Sequence, residues 1–570
     1  MQKLFGFLLI VLIAFGCKVQ RKNTAAIDPY EYTVQKKVLA TNGAVVSAHP
    51  LASKVGLEIL KQGGNAFDAV IATQLALAVV YPQAGNLGGG GFLVGRQSTG
   101  KEIAIDYREM APGKANRDMY IDSAGVARTD KSQDGHLASG VPGTIAGLFE
   151  SAKYGKLSFD KLIQPAIDLA EKGFVIRERE ARGLNSLQKE LKKFNTVMPA
   201  FVKDIPWKAG DTLIQTDLAN TLKRIRDKGA AGFYEGETAK LIVAEMKRGG
   251  GIISLEDLKN YKAKSREPHV FNYKGYKVIG MPMPSSGGLL VHQMMKMVED
   301  RNIAALGYQS EKAVQLMTEV ERRAFADRAE YMGDADFYRV PEKMLTNDVY
   351  LQERMRNYDT GKATPSTLIK PGVLLRAESE ETTHLSVIDK NGNAVAVTTT
   401  LNNSYGSRTV VGGAGFFLND EMDDFSIKPG VPNMYGAIGG EANAIMPGKR
   451  MLSSMTPTIV LKDGKPFLVV GTPGGTTIPT SVFQTLINIL EFNLTTEDAV
   501  YNPKFHHQWL PDTLEIEKGF PSPVADALKK KGYAIRERNA IGRTEVIKVL
   551  PDGKFEAVGD KRGDDDAEGW

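Results

Sequence analysis

Glu381-Thr382-Thr383-His384-Leu385-Ser386-Val387-Ile388-Asp389-Lys390-Asn391-Gly392-Asn393-Ala394-Val395-Ala396-Val397-Thr398-Thr399-Thr400 is the stretch at which this chain changes character. Residues 384–388 and 394–400 are strand candidates rich in β-branched side chains. They are joined across Asp389-Lys390-Asn391-Gly392, a hairpin signal. A second such pair, 458–461 and 466–470, flanks Lys462-Asp463-Gly464, and helical patterns follow at about 480–491 and 523–531. Upstream, from residue 140 to about 325, amphipathic helical segments alternate with turns such as Pro284-Ser285-Ser286-Gly287-Gly288. Paired strands with helices on either side favour an α+β architecture, layered as αββα.

The N-terminal half fits the same scheme. Residues 49–62 (HPLASKVGLEILKQ) carry apolar residues at helical spacing and stop at Gly63-Gly64. Residues 65–80 (NAFDAVIATQLALAVV) are apolar nearly all round, as in a helix buried on most sides, and Pro82 ends the run. Gly85-Asn86-Leu87-Gly88-Gly89-Gly90-Gly91 then leads into strand-like runs at 92–94 and 103–107. Clustered glycine points to tight turns and close backbone approach. There is no repeat of solenoid period, and the acidic run Asp564-Asp565-Asp566 reads as solvated.

Composition bounds the function classes. With 42% hydrophobic and 24% charged residues over 570 positions, the chain is expected to be globular. A formal net charge of +5 with no basic stripe gives no reason to expect a nucleic-acid partner. Lys3 followed by the apolar run 4–15 is too short to span a bilayer and suits a signal peptide over residues 1–16. The single cysteine, Cys17, closes that run as in bacterial lipoprotein signals, so a lipid anchor at Cys17 and a polar tether over 17–34 are expected. The expected location is exported, periplasmic or at the cell surface, with the membrane reached through the anchor only.

Several reaction classes are excluded by absence. The sequence holds no GxxxxGK[ST] phosphate loop, no HExxH, no Cys/His cluster and no GxSxG elbow. His506-His507 lies in an aromatic setting and reads as packing. No metal and no organic cofactor is implied. What remains is a hydroxyl nucleophile without a histidine partner. A threonine made into an N-terminus has its own amine, of pKa about 8, as the base. Taken alone, Thr382-Thr383 before a strand is an ordinary β-propensity choice.

The surroundings change that. PQAGNLGGGGF (82–92), DYREMAP (106–112), HLASGVPGT (136–144), MPSSGG (283–288), TTH (382–384), TTTLNNSYG (398–406), LNDEMDDFS (418–426), KRMLSSMTPT (449–458), GTPGG (471–475) and FHHQWLP (505–511) occur in one order. From about residue 40 to 570 the chain resembles the γ-glutamyltransferase family, also called glutathione hydrolase. The resemblance implies a four-layer αββα sandwich of the N-terminal-nucleophile hydrolase type. It implies self-cleavage between Glu381 and Thr382 into a large subunit (35–381) and a small catalytic one (382–570). Many bacterial relatives have glutamine before the nucleophile, and Glu381 departs from that.

The resemblance also implies roles. Thr382 attacks the γ-carbonyl of a γ-glutamyl substrate such as glutathione, and Thr400 buttresses it. Backbone N–H groups of Gly474 and Gly475 form the oxyanion hole. Arg108, with Ser453 and Ser454, holds the α-carboxylate, while Asp424, with Glu421 and Asn402, takes the α-ammonium. Residues 429–440, carrying Tyr435, correspond to the lid loop of lidded members. The acyl group passes to water or to an amino acid or short peptide. Alternatives on the same fold are a poly-γ-glutamate depolymerase or an acylase of β-lactam side chains, and, from another class, an inert γ-glutamyl-binding lipoprotein.

Overall fold

The computed structural model describes residues 27–369, 382–428, 430–434 and 436–570. Two seven-stranded sheets lie face to face. The first has the order Asp566–Gly569, Gly43–Ser47, Thr383–Asp389, Ala394–Thr400, Gly90–Arg96, Glu102–Asp106, Lys264–Arg266. The second runs Lys37–Ala40, Phe555–Val558, Glu545–Val549, Lys465–Gly471, Thr458–Lys462, Tyr276–Gly280, His269–Tyr273. All pairings inside both sheets are antiparallel.

The period of two along each strand decides which layer each side chain enters. Leu385, Val387, Val395 and Val397 pack outward, in one core with helices Pro50–Lys61 and Ala66–Val80. Ile388, Ala394 and Ala396 point the other way, into a core shared with Ile459, Val469 and Ile547 of the second sheet. The outer face of the second sheet, through Val460, Leu468 and Val470, joins helices Gly287–Glu299, Glu311–Tyr331 and Thr477–Leu490. The result is helices, sheet, sheet, helices: the αββα arrangement expected.

Helix Ala66–Val80 is buried along its whole length, and its start is fixed by a capping box between Asn65 and Asp68. The glycine run before Gly90–Arg96 is a packing device. A Cβ on Gly89 would stand 2.0 Å from the Thr400 carbonyl oxygen, and one on Gly91 2.6 Å from that of Thr398.

The structure departs from the sequence reading in two places. The stretch 140–325 is not helical throughout, since three strands, Lys264–Arg266, His269–Tyr273 and Tyr276–Gly280, extend the sheets there. The acidic run at 564–566 is not simply solvated. Asp565 and Asp566 are fully buried, Asp566–Gly569 forms an edge strand, and Asp566 Oδ1 accepts the Gln35 N–H at 2.7 Å. The expected signal peptide and Cys17 lie outside the described residues. Of the expected tether, the part from Ile27 on is docked, with the Tyr32 hydroxyl donating to the Val175 carbonyl at 2.6 Å. No helix among the described residues is long and apolar enough to cross a membrane.

Gly89→Ala is expected to cost about 1–3 kcal/mol by overpacking, read as a lowered thermal midpoint. An unchanged midpoint would contradict the close approach of the two strands at Thr400.

Candidate active site

Loops from one end of both sheets converge on a pocket. Thr382 is the residue before strand Thr383–Asp389, and Thr400 ends the neighbouring antiparallel strand. Their hydroxyls are therefore neighbours, with Oγ1 atoms 3.3 Å apart, and both side chains are buried. Thr400 Oγ1 already accepts the Asn402 N–H at 2.7 Å, which leaves the Thr400 proton available to Thr382. Asn402 pays for this with a positive φ of 78°, a strained conformation of the kind that collects at functional sites. Its side chain donates to the Asp420 carbonyl at 3.1 Å.

His384, the nearest histidine in sequence, is directed elsewhere. Its ring nitrogens lie 2.9 Å from Thr398 Oγ1 and 3.1 Å from Ser386 Oγ, and burial pulls its pKa down to about 3. It is a neutral spacer between the sheets, against which Gly471 packs without room for a Cβ.

From the second sheet, strand Lys465–Gly471 runs into Gly474 and Gly475 and then helix Thr477–Leu490. Both glycines have positive φ, 135° and 54°, which L side chains rarely adopt. Gly475 lines the pocket. Their carbonyls accept from Thr477 and Ile478. Among the described residues no acceptor takes either of their N–H groups, which stand ahead of a helix N-terminus, where negative charge is favoured.

The opposite wall is charged. Arg108, two residues beyond strand Glu102–Asp106, is buried and ion-paired to Glu421 and Asp424, each at 2.5 Å, with Glu109 at 3.4 Å. It also donates to the Met451 and Leu452 carbonyls. Three carboxylates around one guanidinium in a buried site cannot all be ionised cheaply. Burial pushes Glu109 up to about 7, against the opposing pull of Arg108, and raises Glu421 well above the usual carboxylate range. Asp424 is raised too, by burial, with Arg108 opposing.

Residues 430–434 and 436–440 fold over this wall. Asn433 Nδ2 donates to Asp424 Oδ1 at 2.9 Å, and the Met434 N–H donates to Asp423 Oδ2 at 2.7 Å. Asn433 and Ala437 line the pocket. Tyr435 and Glu381 lie outside the described residues.

Of the residues singled out in the sequence, Arg108, Thr382, Thr400, Asn402, Glu421, Asp424, Ser453, Ser454 and Gly475 meet in this one pocket, whereas Gly474, the residue before Gly475 in the chain, is not among its lining residues. Arg108 and Asp424, expected to hold opposite ends of a substrate, are ion-paired to each other. Sequence reasoning missed Glu109, although it adjoins Arg108 in the quoted DYREMAP block, and it missed Arg328. Arg328 lies in a helix of many charges and carries no local signal. His506 and His507 are buried structural residues. Among the described residues no cluster of ligating side chains could hold a metal.

A model of the gamma-glutamyltranspeptidase family matches residues 52–570. The chain belongs to the gamma-glutamyltranspeptidase family. Within it, the glutathione hydrolase proenzyme of Escherichia coli (strain K12) is 47% identical over 545 residues, 94% of this chain and 94% of that protein. Among solved structures, a cephalosporin acylase from Bacillus halodurans superposes with a TM-score of 0.83 at 26% identity, over 95% of this chain and 99% of that one. A chain of Helicobacter pylori gamma-glutamyltranspeptidase, 44% identical, gives a TM-score of 0.56 over 60% of this chain and 97% of that one. The fold is that of the N-terminal-nucleophile hydrolases to which these family members belong.

The raised carboxyl of Glu109 sets a pH dependence. Between about 4.5 and about 7 the folded protein holds this proton and the unfolded chain does not. This group's contribution to stability is thus complete at low pH and is lost as pH rises through that window. Glu109→Gln removes the titration. Relative to wild type, its unfolding free energy is expected to gain about 1–3 kcal/mol between pH about 5 and about 8. Parallel stability curves for the two proteins would contradict this.

Proposed function

We propose that this chain is the precursor of a γ-glutamyltransferase and glutathione hydrolase with Thr382 as its nucleophile. The observation that carries the reading is the convergence, at one end of the two sheets, of a threonine beside a second hydroxyl, a pair of unused glycine N–H groups and a wall bearing both signs of charge.

Maturation begins when Thr382 Oγ attacks the Glu381 carbonyl carbon. The Thr382 nitrogen leaves as a free α-amine, taking up the hydroxyl proton, while the peptide becomes an ester on Oγ, and water then splits that ester into the Glu381 carboxylate and the restored Thr382 hydroxyl. The products are a large fragment that runs from Cys17 through the tether and the folded part (35–381), and a small one (382–570). They remain together because strands of one pair with strands of the other. Gly43–Ser47 and Gly90–Arg96 flank the hairpin of Thr382, and Tyr276–Gly280 pairs with Thr458–Lys462.

In turnover the freed amine takes the Thr382 hydroxyl proton while Oγ attacks the γ-carbonyl of the substrate. The N–H groups of Gly474 and Gly475 receive the developing oxyanion, where one such donor is typically worth about 3 kcal/mol. The amine proton leaves with the departing group. Water or the amino group of an amino acid or short peptide then takes the γ-glutamyl group, and Thr382 is regenerated.

Glutathione offers an α-ammonium for Asp424, Glu421 and Asn402, and an α-carboxylate for Arg108, Ser453 and Ser454, exchanging with the ion pairs that these side chains make among themselves. Residues 430–434 and 436–440, over the pocket, limit access and favour glutathione-sized substrates. The likeness to the cephalosporin acylase makes a β-lactam side-chain acylase the second reading. The two-sign wall favours an α-amino acid over it. Residues 1–16 export the chain, and Cys17 carries a lipid that tethers it to a membrane.

Intact-mass analysis of both fragments from the membrane fraction, beside Thr382→Ala, tests this. The wild type is expected to give a small fragment of 189 residues beginning at Thr382, a large fragment bearing a lipid on Cys17, and release of anilide from a γ-glutamyl anilide. Thr382→Ala is expected to stay uncut and inactive. A single uncut wild-type chain would overturn the proposal, and an unlipidated large fragment would remove the anchor alone.

A further inference from the structure

Arg328 is a buried cation that brings no anion of its own. It sits near the C-terminal end of helix Glu311–Tyr331 and lines the pocket, with its residue only 7% exposed. Its hydrogen bonds go to hydroxyls: Nε to Ser286 Oγ and Nη2 to Ser454 Oγ, each at 3.0 Å. No carboxylate is ion-paired with it among the described residues. Other buried arginines in the same helix show what is unusual here, since Arg323 is paired to Glu319 and Arg322 to both Glu319 and Asp512. Arg108, which lines the same pocket, has three carboxylates and two backbone carbonyls around it. Leaving a guanidinium buried without an ion-paired counter-charge is expensive, and burial drags the Arg328 pKa down to about 10, with the field of Asp424 offsetting it only in part and Arg108 adding to the fall. It nevertheless stays charged at neutral pH.

The hydroxyls it holds have a direction. Ser286 Oγ accepts from Arg328 and passes its own proton to the Ser453 carbonyl at 2.7 Å, pinning the Ser453-Ser454 turn. Ser454 Oγ also accepts from Arg328, and among the described residues nothing takes the Ser454 proton. A hydroxyl whose oxygen accepts from a cation is a stronger donor, and this one stands at the pocket wall.

We infer that Arg328 is the positioning and charge-supplying residue for the α-carboxylate of the γ-glutamyl group, acting through the Ser454 hydroxyl that it orients and polarises. This rests on the γ-glutamyl reading above and deepens it. Arg108, already saturated by acidic groups, orders the ammonium side of the pocket as much as the carboxylate side. Arg328 supplies a positive charge that the incoming carboxylate does not have to take from an ion-paired anion.

The test compares a γ-glutamyl anilide with its α-carboxamide counterpart, on wild type, Arg328→Met, Arg328→Lys and Ser454→Ala. Self-cleavage on a denaturing gel reports folding. Arg328→Met is expected to raise KM for the carboxylate substrate about 10- to 100-fold. Its kcat should change little, and the carboxamide should react as with wild type, so that the preference for the carboxylate collapses. Arg328→Lys should restore part of it, and Ser454→Ala, which leaves the guanidinium in place, should lose the same preference. Should Arg328→Met fail to mature, Arg328→Lys and Ser454→Ala still decide. Equal loss on both substrates, or a preference untouched in every variant, overturns the inference. A wild-type enzyme that turns over neither compound is a separate result, which removes the underlying reading and this inference with it.

Discussion

Strand Thr383–Asp389 is hydrogen-bonded along both edges, to Gly43–Ser47 on one side and Ala394–Thr400 on the other. That double pairing fixes the position of the residue just ahead of it. Because the hairpin is antiparallel with Thr383 opposite Thr399, the strand that ends in Thr400 ends beside Thr382. The next strand, Gly90–Arg96, comes in close only because its first residues lack side chains, and it carries the chain through Glu102–Asp106 to Arg108 at the same end. A one-residue slip in this register would turn every side chain of the hairpin to the opposite layer. The nucleophile, its hydroxyl neighbour and the charged wall thus hang on one set of backbone pairings, in strands buried on both faces.

The second constraint is electrostatic. The pocket concentrates Arg108, Arg328, Glu109, Glu421 and Asp424 where water is scarce, so each ionised group must find an opposite charge or change its protonation. The protein meets this demand internally, through the Arg108 pairs and a carboxyl that keeps its proton near neutrality. A zwitterionic substrate end satisfies the same demand with its own charges, so binding exchanges partners without stranding any. A purely apolar acyl group would leave the wall as it stands, which is the physical reason for favouring a γ-glutamyl substrate.

Much of this was readable from the chain. The hairpin 384–400 announced itself by two strand-like runs around Asp389-Lys390-Asn391-Gly392, and the buried helix by apolar residues nearly all round up to Pro82. The site residues became readable only as blocks, because Arg108, Ser453-Ser454 and Asp423-Asp424 each pass individually for an ion pair, a turn or a cap. Other features could not be read at all. The charged triplet Lys264–Arg266 gives no strand pattern, since it pairs at a sheet edge through its backbone. Asp565 and Asp566 look like solvated acids because their burial depends on chain from the far N-terminus. Arg328 looks like its neighbours in a charged helix, and only the tertiary structure reveals that, of the three, it is the one held by hydroxyls with no ion pair to an acid among the described residues.

The central claim is that the Thr382 hydroxyl carries the γ-glutamyl group. The most direct measurement mixes matured enzyme with a γ-glutamyl anilide, quenches in acid over a series of short times, and determines the mass and modified position of the small fragment. The account predicts one γ-glutamyl group in ester linkage to Thr382, appearing with the first turnover. An adduct on another residue, or anilide release with Thr382 unmodified at every quench time, would contradict it.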